Sequence, residues 1–193
     1  AGEDRAESRD SRTSNDPATV YLVGVRAGEV PFGVRVRFKA GERERSIELP
    51  ISDPTSDAQG VSVDAALWQL ERGCASLVVS ESHRLRNATS RVIYVPESER
   101  SGREPLFKST LPQDASSFEG HAGTFTGGLA LEGREVVFWG PLYPGEQALE
   151  FSWALPAAAP TLAFSRRFDV GVKRLSVRTP SGAPAPQGAG LGA

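Results

Sequence analysis

The chain has 193 residues, a formal net charge of −2, one cysteine and no methionine. The near-neutral charge gives no bulk attraction to nucleic acid or to an anionic membrane, and a lone Cys74 rules out an intramolecular disulfide and a cysteine-based metal cluster. No apolar run approaches the ~18–20 residues of a membrane-spanning helix; the most apolar window, 154–164, is interrupted by Pro156 and Pro160.

Residues 1–17 hold five acids, three arginines and no large apolar side chain. Such a stretch buries too little surface to offset its ordering entropy and reads as a flexible leader. Its start, Ala1-Gly2-Glu3-Asp4, suits an end left by signal-peptide cleavage, so export to a periplasm, cell envelope or extracellular space is expected.

From there the apolar pattern has a period of two. Residues 20–25 give a first strand. Val34, Val36 and Phe38 alternate with Arg35, Arg37 and Lys39, which predicts a strand over 33–40 with one buried and one solvated face. Ile47, Leu49 and Ile51 repeat the alternation over 45–51. Turn formers then gather at Asp53, Pro54, Ser56, Asp57 and Gly60, directly before Val61 and Val63, and mark a turn between sheet strands. Residues 64–71 are expected as a short helix, capped by Asp64 and ended by Gly73, with Leu67 and Leu70 or Trp68 inward. Cys74, in an apolar setting, reads as a small buried hydrophobe. Strands over 75–80 and 90–95 follow.

The segment 97–105 is charged and flanked by Pro96 and Pro105, and is predicted to be a linker. The strand pattern resumes over 118–125, 127–131, 135–139, 148–155, 161–164 and 168–178, with the cleanest alternation at Leu149, Phe151, Trp153 and Leu155. Residues 181–193 form an Ala/Pro/Gly-rich tail, expected as a spacer to a membrane tether or another domain beyond Ala193. The predicted fold class is all-β, with two small antiparallel β-sandwich domains over 18–96 and 106–180. The competing arrangement is one sandwich of about a dozen strands in which 97–105 is a long loop.

Within 19–96 the order Val20-Tyr21-Leu22-Val23-Gly24-Val25, then Pro31-Phe32-Gly33-Val34-Arg35-Val36, then Ser56-Asp57-Ala58-Gln59-Gly60-Val61-Ser62-Val63 resembles the carboxypeptidase regulatory-like, or transthyretin-like, β-sandwich. The resemblance implies that Asp57 closes its turn and that Gly60 takes a positive φ. It also implies a non-catalytic envelope or extracellular module, and it carries over no active-site residues. Residues 106–180 resemble a generic immunoglobulin-like β domain.

His83 and His121 are the only histidines. Ser80 or Ser82 with Glu81 and His83 would supply the groups of a hydrolase, but sequence neighbours on a strand point to opposite faces and Gly-x-Ser-x-Gly is absent. No catalytic residue is expected. Asp53, Asp57 and Asp64 are oxygen donors suited to Ca²⁺, yet turn capping by Asp53 and Asp57 accounts for them more simply, and no metal or cofactor is expected. Arg43, Arg45, Arg84, Arg86 and Arg91 are interleaved with Glu42, Glu44, Glu48 and Glu81, a solvated mixed-charge pattern and not a phosphate-binding stripe. Asn87-Ala88-Thr89 is an N-glycosylation sequon, meaningful only in a eukaryotic secretory pathway. The loop from Trp139 to Tyr143 is braced by Pro141 and Pro144, which makes Trp139, Leu142 and Tyr143 the candidate ligand- or partner-binding residues. The expected function is a non-enzymatic structural or protein-interaction module of a cell envelope or extracellular assembly, with another envelope protein or a glycan as partner. A carbohydrate- or ligand-binding module using that loop is the alternative, and a hydrolase with a loop-dispersed site is a second.

Overall fold

The computed structural model describes residues 19–73, 75–122, 128–156 and 171–183. The leader 1–17, Cys74, the strand expected over 161–164 and the end of the tail lie outside them, as do parts of 118–125 and 168–178.

The chain is an all-β sandwich. Its strands are β1 (Tyr21–Ala27), β2 (Val30–Val36), β3 (Pro54–Thr55), β4 (Val61–Arg72), β5 (Ser76–Asn87), β6 (Val92–Ile93), β7 (Phe107–Thr110), β8 (Ser116–Ala122), β9 (Leu129–Glu132), β10 (Glu135–Phe138), β11 (Gly145–Pro156) and β12 (Leu175–Arg178). A five-stranded sheet in the order β12-β4-β5-β11-β8 faces a three-stranded sheet, β7-β10-β9, while β1-β2 and β3-β6 form separate two-stranded pairs. The pairings are antiparallel except β12 with β4 and β3 with β6, which run parallel. Val63, Val79, Leu85, Leu149, Phe151 and Trp153 from the larger sheet interlock with Phe107, Val136, Val137 and Phe138 from the smaller one in a single buried cluster. Each large side chain so buried contributes about 1.5–3 kcal/mol.

That shared core corrects the expected division at 97–105. β11 pairs with β5 along its whole length, Gly145 opposite Asn87 through Pro156 opposite Ser76, so residues from both expected domains build one sheet. The charged segment is a connection, with a 3₁₀ turn at Glu97–Glu99. It is pinned on both sides to the end of β10, where Val95 N–H donates to Trp139 C=O at 2.9 Å and Leu106 N–H to Phe138 C=O at 2.9 Å.

Two local expectations also change. Residues 64–71 are extended, because a register shift between Val63 and Ala65 inserts Asp64 as a bulge and moves the inward phase from Val63 to Ala66, Trp68 and Leu70. Residues 45–51 form no strand: they enter no ladder with a described strand, and Pro50 has no N–H to offer one. The turn at 57–60 has the expected chemistry. Asp57 Oδ1 accepts from Gln59 N–H at 2.9 Å, and Gly60 has a φ of +88°, a conformation that suits glycine.

Candidate functional site

β5 is the central strand of the larger sheet, and its burial alternates without interruption from Leu77 to Asn87. Side chains at odd positions therefore face the core. This places Glu81 and His83, two residues apart, on the same inner face, where they are 2% and 0% exposed. His83 Nε2 lies 2.9 Å from Glu81 Oε2, and Trp153 Nε1–H on β11 donates to Glu81 Oε1 at 2.5 Å. The imidazole stacks on Phe151 at 5.4 Å and 13°, and Phe107 from the opposite sheet covers it at 4.7 Å. Sequence reading put His83 in a polar segment between two strands; it is mid-strand, in the centre of the core. Ser80 and Ser82 face the other way, as period two demands, and Ser82 Oγ lies 3.4 Å from Glu150 Oε1 on β11. The serine–histidine–acid arrangement is not assembled. Glu81, His83 and Trp153 form a polar bridge inside an aromatic box, sealed from substrate.

His121, inside the strand expected over 118–125, lies on β8 opposite Glu150.

The loop from Trp139 to Tyr143 presents no binding platform. Trp139 and Leu142 are buried in the main core, and Arg100 covers the Trp139 ring at 5.3 Å. The Gly140–Pro141 bond is cis, and Leu142 exchanges backbone hydrogen bonds with Ile93 at 3.0 and 2.8 Å. Tyr143 turns toward the β1–β2 hairpin, where its ring meets Phe32 edge-on at 5.9 Å and its hydroxyl donates to Pro31 C=O. Burial raises the Tyr143 hydroxyl above its ordinary value. Tyr143 thus fastens the loop to the hairpin, while Trp139 packs into the main core.

The three aspartates do not converge. Asp57 closes its turn, and Asp64 at the β4 bulge accepts from Lys173 Nζ at 2.6 Å and Ser62 Oγ at 3.0 Å. The Lys173 hydrogen bond, then that of Ser62, lowers its carboxyl below the usual range. Among the described residues no group of three or more His, Cys, Asp or Glu is placed to hold a metal. Asn87 of the sequon is buried, and its Nδ2 donates to Arg91 C=O at 2.7 Å and Leu142 C=O at 3.0 Å. Both amide protons are thus engaged in tying the end of β5 to two loops, and the folded chain offers no glycan acceptor there.

The surface that does offer something is the β1–β2 hairpin. Its inner face packs Val30 and Phe32 on Val92, Tyr94 and Tyr143, and Tyr94 Oη–H donates to Glu29 Oε2 at 2.8 Å. Tyr143 and Tyr94 therefore anchor the end of the hairpin near its turn. The outer face carries the cross-strand pairs Leu22–Arg35, Gly24–Gly33 and Arg26–Pro31. Val20 and Leu22 with Arg35, Arg37 and Arg45 line an open groove of about 570 Å³. Arg45 is fixed at its mouth by two hydrogen bonds to Glu42, at 2.7 and 2.6 Å, and one to Arg37 C=O at 2.8 Å. Among the described residues the exposed large apolar side chains are Val20, Leu22, Val25, Ile51 and Leu131, and the first three belong to this one segment. The period-two pattern places Arg35 and Arg37 on the solvated face of a strand, and register adds that Arg35 lies directly opposite Leu22.

No family model matches this chain, and no curated protein matches its sequence.

Proposed function

We propose that the protein is a non-enzymatic interaction module of a cell envelope or extracellular assembly, in which the sandwich is the scaffold and the outer face of the β1–β2 hairpin is the working surface. The observation that carries this reading is that Val20 and Leu22 stand in solvent on the outer face of a hairpin whose inner face is already packed. An apolar cluster left outside a completed core gains nothing from folding and is explained by a partner that covers it. The chemically versatile residues support the same division: Glu81, His83, Trp139 and Leu142 are buried in the core. The setting follows the transthyretin-like resemblance of 19–96, which implies an envelope or extracellular module.

The test replaces Leu22 with a photo-reactive benzophenone amino acid in cells that make the protein. A discrete adduct is expected at this position and none from the same group at Glu104, which is exposed on the remote connection. Equal, diffuse labelling at both positions would contradict the reading.

A further inference from the structure

We propose that residues 45–53 pair with the same residues of a second copy of this chain, forming an antiparallel two-stranded ribbon centred on Leu49. The inference goes beyond the hairpin reading and does not depend on it.

Three observations carry it. First, this stretch has a strand pattern and no ladder. Ile47, Leu49 and Ile51 alternate with Ser46, Glu48 and Pro50, an order that suits pairing. Among the described residues no strand pairs with 46–53, and no backbone–backbone hydrogen bond engages its main chain. Ser46, Glu48, Pro50, Ile51 and Asp53 are exposed, Ile51 at 56%. Main-chain donors and acceptors outside any ladder, beside an exposed isoleucine, are a template for another strand.

Second, the sequence is complementary to itself about Leu49. An antiparallel ladder that sets Leu49 opposite Leu49 of the second copy also sets Ile47 opposite Ile51 and Ser46 opposite Ser52. At the ends Arg45 falls opposite Asp53, and the two-fold axis repeats that pair. Arg45 spends three N–H groups on Glu42 and on Arg37 C=O, and a guanidinium has others to give a carboxylate. A register moved by one residue would instead place Glu48 opposite Leu49 and Ile47 opposite Pro50.

Third, Pro50 fits the phase of this ladder. Opposed residues alternate between pairs that exchange main-chain hydrogen bonds and pairs that do not. With the Leu49 pair bonded, the pairs of Ile47 with Ile51 are bonded too. Pro50 then stands opposite Glu48, at a position whose N–H would point away from the second copy. The missing N–H costs the ribbon nothing, and on the outer edge it discourages a third strand. The pairing therefore closes at two copies. Nine residues from each copy are fewer than the ~20–30 a side of a standard interface, so the dimer is a weak one.

Sedimentation of the full chain between about 5 µM and 1 mM is expected to pass from monomer to dimer. On the unaltered protein, amide chemical shifts at 45–53 should move with concentration. Ile47→Pro removes a ladder donor from each copy and is expected to weaken dimerisation at least about tenfold. Ser46→Pro, which removes an outward-pointing N–H, should change it by less than about threefold. In a Cys74→Ser background, Leu49→Cys is expected to form an intermolecular disulfide at least about tenfold faster than Asp53→Cys. The two Leu49 Cα atoms would lie about 5.5 Å apart, within disulfide reach, and the two Asp53 Cα atoms about 27 Å apart along the ribbon. Monomer across the whole range, equal effects of the two prolines, equal disulfide rates at 49 and 53, or shifts confined to residues outside 45–53 would overturn the proposal. None of these failures touches the hairpin reading, which the Leu22 cross-link tests separately.

Discussion

At the scale of single residues, the most exacting requirement in the molecule is the Glu81–His83–Trp153 bridge. A carboxyl group taken out of water must be hydrogen-bonded, and here the indole N–H donates to one of its oxygens while an imidazole nitrogen lies 2.9 Å from the other. Glu81→Ala is expected to cost about 3–5 kcal/mol in denaturant unfolding, since it removes the acceptor while two polar groups stay buried. Replacing Glu81 and His83 together by leucine should cost less than the sum of the single changes, giving a coupling above about 1 kcal/mol in a double-mutant cycle. Strict additivity would show that the two side chains do not act as a unit. Tyr143 makes a second prediction. Its folded-state hydroxyl sits above the ordinary value of 10.0 because it is buried. The stability it contributes is therefore complete below about pH 10 and is lost as the pH rises through the raised folded-state value. Thermal melts of the unaltered protein should thus fall more steeply above about pH 10 than those of Tyr143→Phe; parallel curves would contradict the tether.

At the scale of elements, legibility in the sequence followed the side-chain period. The strand at Leu149, Phe151, Trp153 and Leu155 was readable because every inward residue is apolar, and β11 extends it only to Gly145 and Pro156. β5 has an equally regular alternation, but Glu81 and His83 occupy two of its inward positions, so hydropathy alone ends the strand at Ser80, short of Asn87. β4 was misread because Asp64 shifts the phase by one residue, and the resulting spacing of Leu67 and Leu70 fits a helix as well as Ala66, Trp68 and Leu70 fit a strand. The candidate site was obscured for a related reason. Solvent-facing Arg35 and Arg37 become a groove only through the register that sets Arg35 beside Leu22, and an isolated sequence does not give register. The proline-braced loop reads as a presenting surface for Trp139 and Tyr143, although Leu142 turns inward and pairs with Ile93. The β4 bulge carries its own prediction. Asp64 has its carboxyl lowered by Lys173 and Ser62, so its contribution is present above its unfolded-state value, near 3.8, and disappears as the pH falls through the lower folded-state value. Asp64→Asn should therefore lower the melting temperature at neutral pH, with the difference shrinking at strongly acidic pH and at high salt. A difference that persists unchanged under both conditions would show that the Lys173 contact is not its source.

At the scale of the whole molecule, one sandwich core joins residues on both sides of the charged connection, and the hairpin is fastened to it through its inner face and near its turn. This divides the chain into a scaffold that tolerates little change and an outer face that folding does not require. Substitutions on that face should leave thermal unfolding close to that of the unaltered protein, because Leu22, Arg35 and Arg37 are all exposed. The most direct test of the account is the adduct yield from a benzophenone residue placed at Val20, compared between the otherwise unaltered protein and one carrying Leu22→Asp, with both melting within about 2 °C of each other. The account predicts a discrete partner adduct that Leu22→Asp abolishes while the fold is kept. An adduct of undiminished yield in the folded Leu22→Asp protein would contradict it.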